Sequence, residues 1–450
     1  MSYAPEIIDA AKRLHIHPEA VQAFLDAGQG KSSEGTVRSV HTTIKAIGSA
    51  CNLDCVYCYY LSKEELLGQK KRRMQEDVLE HFVREYIAAQ DAEEIAFSWH
   101  GGEPTLLGLP FFRRVVALQQ KYLPPGRRVA NDLQTNGTLL DDAWCAFFAE
   151  HGFMIGISLD GPRDLHDVYR PTKRGKPSFD AVFAGTQLLR KHGVPFGTLS
   201  TVNRKNAREP ERVYPFLRDE VGARFMQFIP CVEPRQFARS PSGAIPDAQL
   251  ASADSPRARP DHPLSIVTDW SVDPEDWGHF LARVFDLWRA RDQGVIKINL
   301  FESMFAQLQG KPSLLCTSSP FCGKNLAVEH DGRVYSCDHF VYPEHELGTL
   351  GAQTFAELAF SMKQLAFGLD KYNSLPSECR ECPHLKLCWG ECPRTRILKT
   401  REGEGRLSYL CRGWKIFYAH ALPKIGTRKL PEPALYPATS LVRHNTGRVV

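Results

Sequence analysis

Gly48-Ser49-Ala50-Cys51-Asn52-Leu53-Asp54-Cys55-Val56-Tyr57-Cys58 carries three thiols in a C-x3-C-x2-C spacing. The stretch directly follows a β-rich run at residues 42–47, so a strand delivers the chain to a compact loop that can aim three thiolates at one point. Three protein thiolates on a four-iron cluster leave one iron without a protein ligand, and a small molecule can chelate that iron. Two other readings stay open at this point: a three-cysteine zinc site with a fourth ligand from elsewhere, and thiols without metal.

Outward from that loop the chain repeats one alternation of short strand, turn and amphipathic helix. Six strands are expected at 42–47, 95–99, 129–134, 153–159, 196–201 and 224–229. Helices are expected between them at 76–90, 110–122, 141–151, 179–192 and 210–221. In the fourth helix Phe179, Val182, Phe183, Thr186 and Leu189 share one face. Strands separated by helices of this length form a parallel sheet, and six such units without a seventh and eighth predict a partial (β/α)6 barrel of the TIM type, open along one side. Working residues in such folds sit on loops after the C-terminal ends of the strands.

The 450 residues carry a formal net charge of +4, and 43% are apolar, the profile of a globular protein rather than a polycation or a disordered tail. Charge therefore predicts neither a nucleic-acid nor a membrane partner. Lys70-Lys71-Arg72-Arg73 reads as a solvated loop against an otherwise balanced surface. The first twenty residues lack an apolar signal segment and no run of 18 uncharged apolar residues occurs, which together with clustered, ligand-ready thiols predicts a cytoplasmic protein.

The 13 cysteines are too sparse for a disulfide scaffold, yet eight of them crowd into residues 316–411. Cys316-x5-Cys322-x14-Cys337, Cys379-x2-Cys382-x5-Cys388-x3-Cys392 and then Cys411 suffice for two closed four-thiolate sites, although Cys379 to Cys392 alone also fits a zinc knuckle. Residues 325–337 read as a hairpin turning at Asp331-Gly332. The segment has little core of its own and is expected to fold around metal. Cys145 reads as a core residue, and Cys231 as packing at the end of the last barrel strand or, alternatively, as lining a cavity there.

The organisation expected is an N-terminal helical extension (1–38), the barrel (39–232), a linker or lid with a helix capped by Asp273 (233–312), the cysteine-rich domain (313–420) and a tail (421–450). Within the third part, Arg235 to Pro263 is rich in Pro, Ala, Ser, Arg and Asp and without periodicity, as a linker or mobile lid would be.

After the second strand comes Gly101-Gly102-Glu103-Pro104, where glycines permit close approach of backbone to a ligand and a carboxylate can accept from an amino group. With the cysteine loop and the six β/α units, this resembles the radical S-adenosylmethionine (SAM) superfamily. The resemblance implies a [4Fe-4S] cluster on Cys51, Cys55 and Cys58 whose open iron binds SAM, with Tyr57, Gly101, Gly102, Glu103, Ser158 and Arg170 at positions that contact SAM. The distal cysteines resemble the SPASM extension, which implies one auxiliary [4Fe-4S] cluster on Cys316, Cys322, Cys337 and Cys392 and a second on Cys379, Cys382, Cys388 and Cys411.

Tyr335-Ser336-Cys337-Asp338-His339-Phe340-Val341-Tyr342-Pro343, Leu133-Gln134-Thr135-Asn136-Gly137-Thr138-Leu139 and Gln227-Phe228-Ile229-Pro230 are similar to segments of the anaerobic sulfatase-maturating enzymes, while His100 stands where some relatives have Gln. That resemblance implies oxidation of a Cys or Ser side chain of a sulfatase polypeptide to Cα-formylglycine: a deoxyadenosyl radical from SAM takes a Cβ hydrogen, Asp338 takes the thiol or hydroxyl proton, and the auxiliary clusters accept the second electron. The implied partners are the sulfatase and a reductant such as a flavodoxin or ferredoxin. One rival reading is a SPASM maturase that forms a thioether or carbon-carbon crosslink in a ribosomal peptide. Another is a non-catalytic iron-sulfur electron carrier.

Overall fold

In the computed structural model, which describes residues 38–61, 63, 73–235, 245–323 and 325–425, all five residues of the first strand, β1 (His41–Lys45), are buried although only Ile44 is apolar. The period of two explains this. Ile44 and Thr42 face one way, and Ile44 joins the apolar core with Phe82 and Phe97; His41, Thr43 and Lys45 face the other way, where His41 meets the Ser98 hydroxyl at 3.1 Å and Lys45 meets Asp338 at 2.5 Å. The barrel interior is therefore polar on this side, and its apolar face is turned to the helices.

The chain continues through α1 (Glu76–Ala88), β2 (Glu94–Trp99), α2 (Leu109–Tyr122), β3 (Arg128–Thr135), α3 (Asp142–Glu150), β4 (Met154–Ser158), α4 (Phe179–Lys191), β5 (Phe196–Val202), α5 (Pro210–Pro215, prolonged by a wider turn to Glu220) and β6 (Phe225–Pro230). The strands pair in parallel and in sequence order, with registers such as Thr43 to Ser98 and Ser98 to Asp132. Each of the six expected barrel strands and five helices between them is present within a few residues of its expected bounds.

Beyond β6 lie α6 (Pro274–Arg291), β7 (Lys297–Ile298), α7 (Asn299–Leu308), β8 (Asn325–Glu329), β9 (Arg333–Tyr335), β10 (Glu346–Thr349), α8 (Met362–Asn373) and α9 (Cys411–Ile425). Asp273 caps α6 by accepting from the Glu275 amide at 2.8 Å, as expected. The sheet runs β10-β9-β8-β1-β2-β3-β4-β5-β6-β7. It stays open, because β7 and β10 occupy opposite edges.

The cysteine-rich segment shares the barrel's core: β8 pairs in parallel with β1 over five residues, the hairpin continues the barrel sheet, and one apolar core runs from Ile44 to Ile425. Two expectations are corrected here. The described part of the expected lid, residues 245–263, is tied down rather than loose. Ala251–Ser252 bridges to Leu398–Lys399, and Arg259 pairs with Asp273 and Glu275 at 2.8 and 2.6 Å. The boundary between residues 420 and 421 falls inside α9, which packs Trp414 and Phe417 against Trp277 and Phe285 of α6. The N-terminal extension through residue 37, residues 236–244, Lys70 to Arg72 and the end from 426 lie outside the described residues.

Candidate active site

The cysteine loop is built against the loop after β2. Gly48 turns at φ +58° and its amide returns to the Lys45 carbonyl at 2.9 Å, while the Gly102 amide reaches the Gly48 carbonyl at 2.7 Å and the Glu103 amide the Ala50 carbonyl at 2.8 Å. A Cβ on Gly102 would stand 1.8 Å from the Ala50 oxygen. The glycine pair thus serves first to press two backbones together, a use that the motif alone did not reveal.

Within the loop, the Leu53 amide points at Cys51 Sγ at 3.4 Å, and Asn136 Nδ2 lies 3.8 Å from the same sulfur and 2.8 Å from Asn52 Oδ1. Cys51, Cys55 and Cys58 are all half-buried and near enough to disfavour one another's ionisation. Burial, reinforced by that repulsion, pushes Cys51 up to about 11 and Cys55 up to about 12. Thiols held together in this way become thiolates only when a cation joins them, which is the setting an iron cluster fits.

The ends of β2 to β5 carry the remaining groups around the loop. Glu103 is fully buried: Oε1 accepts from the Thr105 amide and hydroxyl and from the Thr135 hydroxyl (3.0, 2.6 and 2.7 Å), while Oε2 accepts from the Asn136 amide at 2.8 Å. It staples two loops and keeps lone-pair capacity on Oε2. Gln134 Nε2 donates to Ser158 Oγ at 3.0 Å. Arg170 is held by Asp160 through Nε and Nη2 at 3.0 and 3.1 Å, Tyr57 donates its hydroxyl to the same carboxylate, and the Thr201 amide adds a fourth bond at 2.9 Å. Asp160 is thus the hub that fixes both Tyr57 and Arg170. The sequence motif contained it, but an acid at a strand end gives no sign of its partners.

Asp338 lies one residue after Cys337 and faces β1. Lys45 Nζ approaches Oδ1 at 2.5 Å, and the Tyr59 hydroxyl donates to Oδ2 at 3.0 Å. Burial favours the neutral acid, but the Lys45 ammonium and the facing His339 and His100 outweigh it and hold the carboxyl well below the usual carboxylate range. The Tyr59 ring in turn meets His339 edge-on at 5.4 Å and lies beneath the Arg394 guanidinium at 4.6 Å, and Arg394 is ion-paired with buried Glu233. Lys45, Tyr59, Glu233 and Arg394 had no signal in their local sequence, because β1, the cysteine loop, the end of β6 and the distal loops meet only in the fold. His100 is half-buried, and loss of solvent around it, with the nearby Lys45 ammonium, drives its imidazole down to about 4.

The distal thiols fall into two groups. Cys316, Cys322, Cys337 and Cys392 act electrostatically on one another; desolvation and those neighbours raise Cys337 well above the ordinary thiol value, and Cys316, the exposed member, is shifted in the same direction. Cys379, Cys382, Cys388 and Cys411 line one partly open pocket together with His384, Trp414 and Tyr418. Among the described residues no three His, Cys, Asp or Glu side chains close on a single ion; these four thiols instead surround a space. Burial raises Cys379 to about 11 and Cys411 to about 12. Between the groups, Trp389, Gly390 and Glu391 turn successively through left-handed conformations, at φ 49°, 67° and 60°. Arg396, 1% exposed, clamps that turn by donating to the carbonyls of Trp389, Gly390, Glu391 and Lys371. Cys145 and Cys231 are buried apart from these groups, Cys231 at 3% exposure.

An open parallel barrel with three thiols after its first strand and eight more in two distal groups defines a radical SAM enzyme with auxiliary iron-sulfur clusters. Residues 46–217 match the Radical SAM superfamily, and residues 320–383 match SPASM, an iron-sulfur cluster-binding domain. Its cofactors are SAM and [4Fe-4S] clusters.

More narrowly, the chain belongs to the anaerobic sulfatase-maturating enzymes, radical SAM oxidoreductases that turn a serine or cysteine of a sulfatase into formylglycine. It is 41% identical to the serine-type enzyme of Bacteroides thetaiotaomicron, over 86% of this chain and 90% of that one. It is 31% identical to the cysteine-type enzyme of Clostridium perfringens, over 85% and 96%. The solved structure of native anSMEcpe with bound AdoMet and a Kp18Cys peptide superposes with TM-score 0.72 at 30% identity, covering 86% of this chain and 97% of that one.

Proposed function

We propose that this chain oxidises the Cβ of a serine in a sulfatase polypeptide and that Asp338 receives the hydroxyl proton. The observation that carries the role of Asp338 is its position: half-buried at the barrel mouth, beside one distal thiol, with its two oxygens approached by Lys45 and Tyr59. Serine is favoured over cysteine by the greater identity with the serine-type relative.

Cys51, Cys55 and Cys58 would hold the SAM cluster; Cys316, Cys322, Cys337 and Cys392 would hold one auxiliary cluster and Cys379, Cys382, Cys388 and Cys411 the other, and these auxiliary clusters would take up the second electron of the oxidation. SAM on its cluster supplies the radical that removes a hydrogen atom from the target carbon. Glu103, brought to the cluster loop by the Gly101-Gly102 backbone, would accept from the SAM amino group, and Ser158, Arg170 and Tyr57 would supply further contacts. An alcohol whose carbon has lost a hydrogen atom is a stronger acid than its parent, which eases transfer of its proton to an ionised Asp338. The protein works in the cytoplasm with a low-potential flavodoxin or ferredoxin and needs neither nucleic acid nor membrane; none of the described helices is long and apolar enough to cross one.

The test is mass spectrometry of paired Ser and Cys sulfatase-motif peptides after anaerobic incubation with reconstituted protein, SAM and dithionite. An aldehyde on the Ser peptide, formed alongside deoxyadenosine, is expected. Asp338→Asn should lower peptide oxidation by about 10² to 10⁴-fold while SAM cleavage continues. Full peptide turnover by that variant removes Asp338 from the role of base.

A further inference from the structure

We propose that the turn Thr172–Lys176, with Val56 and Val168, forms the docking surface for an acidic one-electron carrier protein that charges the barrel cluster. This inference rests on the radical SAM assignment and adds the place where the electron is delivered.

The turn lies directly on the cysteine loop. Leu53 and Thr172 form an antiparallel bridge, the Asp54 amide donates to the Pro171 carbonyl at 2.8 Å, and the Val56 amide donates to the Tyr169 carbonyl at 2.9 Å. Thr172 closes the turn by bonding to Lys176 and Gly175, which leaves Lys173, Arg174 and Lys176 projecting as exposed side chains. None of the three has an ion-pair partner among the described residues. Acids close in sequence are already engaged: Asp160 with Arg170, Asp164 with Arg212 and Asp180 with Arg163. The three cations outnumber Asp54, the one exposed carboxylate of the cysteine loop.

Two exposed valines sit beside these cations, Val56 at 40% and Val168 at 43%. Leu139, 38% exposed, adjoins Thr138, whose hydroxyl accepts from Asn52 of the same loop at 2.8 Å. A small apolar area beside an excess of unpaired positive charge is the anatomy of a transient, electrostatically steered interface. Its location selects the partner. Cys55 lies between the exposed Asp54 and Val56, so a carrier seated here is separated from a cluster ligand by little more than one residue of backbone. The carrier loses one electron and the cluster gains it, with no other reactant. A low-potential flavodoxin, strongly acidic around its flavin edge, has the required chemistry.

The experiment compares the cluster-loaded chain with its K173E/R174E/K176E variant. Binding of oxidised flavodoxin is read by surface plasmon resonance, and deoxyadenosine formation is driven either by reduced flavodoxin or by dithionite, which needs no docking. The expected result is flavodoxin binding and flavodoxin-driven turnover each weakened at least about tenfold, with dithionite-driven turnover and peptide KM unchanged. Equal flavodoxin binding by both proteins overturns the proposal. So does a rise in peptide KM with flavodoxin binding intact, which would assign the surface to the sulfatase instead. Where the variant loads poorly, the parent chain decides: its flavodoxin-driven rate should fall steeply between about 50 and 500 mM salt while the dithionite-driven rate holds, and a flat salt profile overturns the proposal. Failure of dithionite to cleave SAM would count against the radical SAM reading itself, and so stays separate from these outcomes.

Discussion

The molecule places thiols in two different ways. Cys51, Cys55 and Cys58 sit on a loop whose two ends are anchored in a finished sheet, with the Gly102 backbone pressed against Ala50 and the Thr172 bridge on the other side. Cys379 and Cys388 are carried by single turns of helix, Cys382 by the loop between them and Cys411 by the first residue of α9, and the left-handed run after Cys388 is held by buried hydrogen bonds from Arg396. Position in the first region comes from the scaffold, whereas in the second it comes from a clamp. The first should fail through geometry and the second through local unfolding.

Gly102→Ala should have the largest effect. Its Cβ would meet the Ala50 carbonyl carbon at 2.4 Å as well as the oxygen at 1.8 Å, so one of two backbones must move. A displacement near 1 Å at a reacting centre costs about 100-fold in rate, and SAM cleavage should fall by at least that much while the C-terminal sites keep their iron. Deoxyadenosine assays with iron and sulfide analysis measure both. Wild-type cleavage rates would mean that the loop is not positioned by this contact.

Arg396→Ala comes next. The guanidinium satisfies four buried carbonyls, and leaving such groups unpaired costs about 3–5 kcal/mol in total. The loss should concentrate in residues 375–411, read as faster amide exchange there with the barrel strands unchanged. Uniform destabilisation across the chain would erase the distinction between scaffold and clamp.

The same distinction governs what could be read in advance. Barrel elements announce themselves because each strand and helix has its own periodicity and a neighbour close in sequence, as the fourth helix shows with Phe179, Val182 and Leu189. The cysteine spacings announced eight distal thiols, enough for two sites, and only the resemblance to SPASM implied how they group. What stayed hidden was long-range: Thr42 donating to Leu326, Lys45 reaching Asp338, and Arg394 reaching Glu233 across 161 residues. The hairpin's attachment to β1 belongs with these, since β8 reads equally well as a strand paired only with its own neighbour. Polar residues on the barrel's inner face of β1 conceal its burial, because a core is expected to be apolar.

That polar inner face supports a last and smaller prediction about how the scaffold tolerates it. Ser98 Oγ donates to Asp132 Oδ2 at 2.5 Å and lies 3.1 Å from His41 Nε2, a buried row across the first three strands. Burial lifts the Asp132 carboxyl to about 8, against which the Ser98 hydrogen bond is a small opposing effect, and lowers His41 to about 4. Between roughly pH 4 and 8 the folded Asp132 keeps a proton that the unfolded chain has released, so its contribution is present at low pH and is lost as pH rises through 8. His41 has the opposite sign, and its contribution is lost as pH falls from about 6.5 through 4. Asp132→Asn stays neutral throughout and should remove the alkaline loss, stabilising the protein by about 2 kcal/mol at pH 8 and little at pH 5. Thermal melts of cluster-free protein at the two pH values give the comparison directly. A variant less stable than its parent at pH 8 would mean that the carboxylate is ionised in the fold and that the polar barrel lining carries charge there as well as at Lys45.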